Sequence, residues 1–157
     1  MNEEVETKNE ITMSGVNELQ TGLFNESKVK RATTLNLNDD EESNLLLNGM
    51  QKCDYKLNDC IDKEIDVVGC YITERDKEDF DDATGEAFTY KKHTLMLFDA
   101  DGKSYVTGSN SCYMSFMNIA SIKGMPTKEH HLLLKPVKAD ALEKGHFYLK
   151  LQLVIKK

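Results

Sequence analysis

From Ile61 onward the chain alternates apolar and polar residues with the period of two that marks β-strands. Ile61, Ile65 and Val67 lie on one parity, and Val68, Cys70 and Ile72 on the other. A phase change beside Gly69 is what a bulge or sharp bend produces, so a long, bent first strand is expected. Residues 76–89 are polar, acidic and contain Gly85, which suggests a loop. Residues 91–98 alternate again and predict a second strand. Asp99-Ala100-Asp101-Gly102 supplies the Asp and Gly that tolerate a tight hairpin connection, and residues 103–107 return as a third strand.

Thr107, Ser109, Asn110 and Ser111 then offer N-cap side chains. Cys112, Tyr113, Phe116, Ile119, Ala120 and Lys123 recur at steps of one helical turn, giving a helix with one apolar face on which Phe116 and Met117 are core residues. Gly124 and Pro126 end it. Two more strands, residues 131–138 and 147–156, are joined by residues 139–145. In the last strand Phe147, Leu149, Leu151, Leu153 and Ile155 point inward, and Tyr148, Lys150, Gln152, Val154 and Lys156 outward.

Residues 1–57 read differently. They are rich in Asn, Glu, Ser and Thr, with weak helical spacing of Val16, Leu19, Leu23 and Phe24. A second helix is expected after the acidic run at residues 39–42, whose carboxylates suit a helix N-terminus, and it carries Leu45, Leu46, Leu47 and Met50. The expectation is an acidic arm, partly helical and mobile at its start, that supplies no second core. The domain proper is then residues 58–157.

The order strand, strand, strand, helix, strand, strand is that of the OB-fold, a mainly β, five-stranded barrel with a helix between its third and fourth strands. A length of 157 residues suits one such domain with an arm attached. No apolar run is long enough to span a bilayer, and the acidic start lacks the build of a secretion signal, so a cytoplasmic protein without membrane contact is expected. Cys53, Cys60, Cys70 and Cys112 include no Cys-x-x-Cys pair, which favours buried thiols over disulfides or zinc.

The net charge of -7 conceals a division. Residues 1–90 hold nine Lys and Arg against 22 Asp and Glu; residues 91–157 hold 11 Lys against five acids, and all four histidines. A basic half suggests a partner surface. Binding a single nucleic-acid strand without sequence preference takes cations along the phosphates and flat side chains for base stacking. Tyr90, Lys91 and Lys92 open the second strand, Lys103 and Tyr105 lie on the third, and Tyr148, Lys150 and Gln152 face outward on the last. Lys135, Lys138 and Lys144 flank the final hairpin.

Catalytic and metal patterns are weaker. His130 and His131 are adjacent, so on a strand they face opposite ways. Cys112 falls on the helix's apolar face with no partner pattern for thiol catalysis. The acids at 79–86 lack calcium-loop spacing, and no Gly-rich phosphate loop precedes a helix. No enzyme activity and no cofactor are expected.

Thr84-Gly85-Glu86, the run 95–98, Asp101-Gly102, Tyr105-x-Thr107-x-Ser109 and Gly124-x-Pro126 together resemble the small single-stranded DNA-binding proteins of phages and mobile elements of Gram-positive bacteria. Leu133-x-Lys135, Lys144-Gly145 and Tyr148-Leu149-x-Leu151 continue the resemblance, which covers about residues 60–157. It implies an OB-like fold, no catalysis, and protection of single-stranded DNA during replication or recombination. The acidic arm is then expected to contact a replication or recombination protein, or a neighbouring subunit in a homo-oligomer. Seven acids at Glu74, Asp76, Glu78, Asp79, Asp81, Asp82 and Glu86 depart from this picture, because the loop between the first two strands borders the OB binding face. The alternative, from another class, is a protein-interaction or inhibitor module that mimics nucleic acid and acts on a host protein.

Overall fold

Gly69 bends the sheet where the change of phase places it. The pairing of β4 (Ile65–Phe80) with β5 (Ala87–Asp99) slips between Val67 and Gly69, leaving a bulge. A Cβ on Gly69 would stand 2.5 Å from Leu35 Cδ2, so any other residue here requires the buried Leu35 side chain to shift. The structure, a computed structural model, describes residues 17–19, 29–140 and 145–155; Lys144 and Lys156 lie outside them. It is a single sheet of eight described strands, curled into an open half-barrel, with two described α-helices.

The local signals around the helix hold. The Asp99 carboxylate accepts the N–H groups of Asp101 and Lys103 at 2.9 Å each, and Gly102 takes φ 85°, turning β5 into β6 (Ser104–Thr107).

 

Lys103, expected on the third strand, sits in the turn just before it. Ser109 caps α2 (Asn110–Lys123) by accepting the Cys112 N–H at 3.1 Å, and Gly124 at φ 94° ends the helix. Then β7 (Leu132–Asp140) pairs with β8 (Phe147–Leu153). The last strand stops at Leu153, short of the expected 156. Leu149, Leu151 and Leu153 lie on the inward face, with Leu151 buried, but Phe147 and Ile155, expected inward, are exposed.

Residues 76–89 are not a loop. β4 and β5 continue past the body of the sheet as a two-stranded ribbon, and only residues 81–86 turn. Asp81 organises that turn, its carboxylate accepting from Ala83 and Thr84 N–H while Gly85 takes φ 75°. Water reaches both faces of the ribbon, so its strands carry polar residues on both and lose the hydropathy alternation by which a half-buried strand is recognised.

Asn17–Leu19 forms β1, not part of a helix, and pairs with β2 (Val29–Thr33), which pairs in turn with residues 71–75 of β4. Val16, Leu23 and Phe24, the other positions of that expected helix, lie outside the described residues. The second expected helix is present as α1 (Asp40–Gln51), capped by Asp39, whose carboxylate accepts the Glu42 N–H. It does supply a core: Leu35 and Leu46 close over Tyr71, Met96 and Phe98 on the outer face of the sheet. The unbroken apolar run 95–98 is the trace of this arrangement, because a strand buried on both faces has no polar side.

The main core fills the inner face with Ile65, Val67, Leu95, Leu97, Leu134 and Leu151, against Cys112, Phe116 and Ala120 of α2; Met117 packs on its margin. The free edge of β6 is covered by β3 (Tyr55–Lys56), which runs parallel to it and leads into a 3-10 turn (Leu57–Cys60). β8 meets no described strand on its other edge. There α2 stands in: Ser111 Oγ donates to the Leu149 carbonyl at 2.7 Å, and the Leu151 N–H donates to Ser115 Oγ at 2.8 Å. The strand count therefore exceeds the expected five, and the barrel is left open.

Burial raises the Cys70 and Cys112 thiols to about 12 and raises Cys60 as well, while Cys53 is half-exposed. Since the thiolate is the reactive form, one fast-labelling cysteine, Cys53, is expected in the native protein at pH 8, with three more released only by denaturant. Mass spectrometry of alkylated protein checks this; early labelling of Cys70 or Cys112 would contradict the packing. No described helix is long and apolar enough to cross a membrane.

Candidate functional site

The register of the ribbon sorts its side chains. Residues directly opposite one another share a face, so Phe88, Tyr90 and Lys92 of β5 lie with Asp79, Lys77 and Arg75 of β4 on the outer side. The inner side carries Thr89, Lys91 and His93 opposite Glu78, Asp76 and Glu74. Three acids of the segment that seemed hostile to phosphate thus turn away from Tyr90. Asp79 and the turn residues Asp81, Asp82 and Glu86 remain near the tip.

The same alternation divides Tyr90, Lys91 and Lys92. Tyr90 is 43% exposed beside Phe88 at 47%, with ring centroids 6.1 Å apart and planes at 36°. Lys92 shares their face, its Nζ donating to the Gly108 carbonyl at 2.7 Å. Lys91 points the other way, into a 2.7 Å ion pair with Asp76 that raises its pKa. Beside it His93 Nε2 lies 3.0 Å from Glu74 Oε1, and its ring stacks on Tyr113 of α2 at 4.0 Å and 6°. The base of the ribbon is thereby pinned to the helix.

The β7–β8 hairpin repeats the pattern more modestly. Lys135 opposite Gln152, Val137 opposite Lys150 and Ala139 opposite Tyr148 form its outer face, as Leu134, Pro136 and Leu151 are buried on the other. Tyr148 is 41% exposed. Lys138 falls on the inner side past the end of the core, with Nζ 5.8 Å from the ring of Phe147, itself 63% exposed. β7 runs antiparallel to β4, so the Asp140–Phe147 end of this hairpin lies beyond the opposite end of β4 from the ribbon's tip. Five of the six exposed aromatic side chains among the described residues belong to these two hairpins.

Tyr105 does not join them. It is 2% exposed within the main core, and its hydroxyl donates to Asp99 Oδ2 at 2.7 Å; burial and the carboxylate both hold the phenol protonated. Its ring stacks on Tyr55, so no base reaches it in this conformation. Lys103 is exposed at the β5–β6 turn, apart from either hairpin tip. Phe80, Phe88 and Phe147 are the exposed hairpin aromatics that the sequence pattern passed over. For Phe88 the signal was present, since Phe88, Tyr90 and Lys92 are spaced by two.

His130 and His131 have separate engagements. His130 Nε2 meets the Lys123 carbonyl at 2.7 Å, and His131 Nδ1 lies 3.1 Å from Asp66. Among the described residues no three His, Cys, Asp or Glu side chains are grouped to hold a metal ion. Comparison of the chain with protein-family models, curated proteins and solved structures finds no match.

Proposed function

We propose that the chain is a non-enzymatic, OB-like binder of single-stranded DNA with little sequence preference, serving replication or recombination in a phage or mobile element. The observation that carries this is the outer face of the ribbon: Phe88 and Tyr90 side by side, flanked by Lys92, Lys77 and Arg75, with Glu74, Asp76 and Glu78 turned to the reverse side and Asp79 alone among the β4 acids opposite Phe88. Two neighbouring exposed rings give bases a stacking surface that accepts any sequence, and cations beside them meet the phosphates. A projecting two-stranded ribbon is marginal in water by itself, and exposing aromatic rings on it is unfavourable unless something covers them. The OB-like character is supported by connectivity. β4 bends and pairs with both β5 and β7, and α2 falls between β6 and β7.

Fluorescence anisotropy with labelled oligothymidylate and mixed-sequence strands tests this. Binding to single strands is expected to exceed binding to the matching duplex. With three to five phosphate contacts, log K is expected to fall against log salt with a slope of about -2 to -4. Equal affinity for duplex, or no binding at low salt, would overturn the proposal and leave the ribbon as a protein contact.

A further inference from the structure

α1, the β5–β6 turn and the segment leading into β7 enclose a cleft of about 680 Å³, on the body of the sheet and distinct from both hairpin faces. Its floor is apolar, made by Leu35, Leu45 and Val68. Its walls carry four carboxylates, of Glu41, Glu42, Asp99 and Asp101, against one lysine, Lys128. Two of the four are committed to the fold. Glu42 accepts the Asn36 N–H at 2.9 Å, and Asp99 holds the turn and the Tyr105 hydroxyl. Glu41 and Asp101 are exposed on opposite walls, and neither carboxylate has a partner among the described residues. Asn44 and Asn48, one helical turn apart on α1, add amide donors and acceptors between them.

We infer that this cleft is a docking site for a basic peptide segment of a partner protein, taking one Arg or Lys side chain. An apolar floor under an anionic rim fits a long cationic side chain, whose aliphatic stem lies on Leu45 and Val68 while its head reaches Glu41 and Asp101. The two asparagines are placed to pair with the peptide's own amides. The volume leaves room for that side chain together with part of the peptide backbone that carries it. The same carboxylates repel phosphate, so the occupant differs in charge from the ligand proposed for the ribbon, and the inference stands without that proposal.

Calorimetric titration of the full chain with capped hexapeptides containing a single Arg, Lys or citrulline tests it. Arg and Lys peptides are expected to bind, and the uncharged citrulline peptide at least about tenfold more weakly. The double variant Glu41→Lys, Asp101→Lys is expected to lose at least about tenfold in affinity for the Arg peptide. Asp82→Lys, Glu86→Lys makes the same charge change at the ribbon's turn, at two exposed residues, and is expected to stay within about twofold. Both pairs are exposed, and circular dichroism checks that each variant is folded. No binding of the Arg peptide at millimolar concentration, equal binding of the citrulline peptide, or equal loss in the two double variants would each overturn the inference.

Discussion

Replacing Phe88 and Tyr90 together by alanine is expected to weaken binding of oligothymidylate at least about thirtyfold. Stacking is worth about 1–3 kcal/mol per base, so two lost platforms remove about 2 kcal/mol or more. Both rings stand on a ribbon outside either core, and the thermal midpoint is expected to change little. The leucine pair Phe88→Leu, Tyr90→Leu keeps apolar bulk but no flat face, and is expected to bind almost as poorly as the alanine pair. Lys92→Glu acts on another component: it removes one phosphate contact and flattens the salt slope by about 0.7. Its amine also ties the ribbon to the Gly108 carbonyl, so some of its effect comes through orientation of β5. Tyr105→Phe, by contrast, is expected to leave binding unchanged, because that ring is inside the core. Anisotropy titrations with these four variants check the set. An alanine pair that binds like the parent would show that the strand, if bound, runs elsewhere.

The features legible in the sequence are those written in adjacent residues. The bulge at Gly69, the turn at 99–102 and the capped α2 each depend on a few side chains acting on their own backbone, and each stands where the sequence places it. The ribbon was misread because its two solvated faces differ in charge, not in hydropathy; Glu74, Asp76 and Glu78 mark one face, and Arg75, Lys77 and Tyr90 the other. Tyr105 was misplaced for a different reason. Tyr55, whose ring covers it, comes from a two-residue strand within residues 1–57, and no local pattern announces that pairing. The core beneath α1 has the same origin. Its partners Leu35 and Leu46 are separated from Met96 and Phe98 by 50 to 63 residues of chain.

Ser111→Ala together with Ser115→Ala is expected to destabilise the fold by about 2–6 kcal/mol, since each leaves one partly buried backbone group of β8 without its partner at about 1–3 kcal/mol. These hydroxyls do for β8 what a neighbouring strand does elsewhere in the sheet, and they hold α2 against the open side of the half-barrel. Alanine is the better helix former, so the intrinsic preference of α2 moves the other way by a few tenths of a kcal/mol, and the loss belongs to the strand edge. Ser115 also donates to the Cys112 carbonyl and Ser111 lies 3.0 Å from Ser109, so the two sites share a network and the single variants are not expected to sum to the double. Urea unfolding gives the energy, and amide exchange gives the place: the Leu151 N–H should lose protection in Ser115→Ala before the rest of β8 does. A double variant destabilised by less than about 1 kcal/mol would mean that water replaces both hydroxyls at little cost, and that apolar packing of Cys112 and Phe116 alone keeps α2 in the half-barrel.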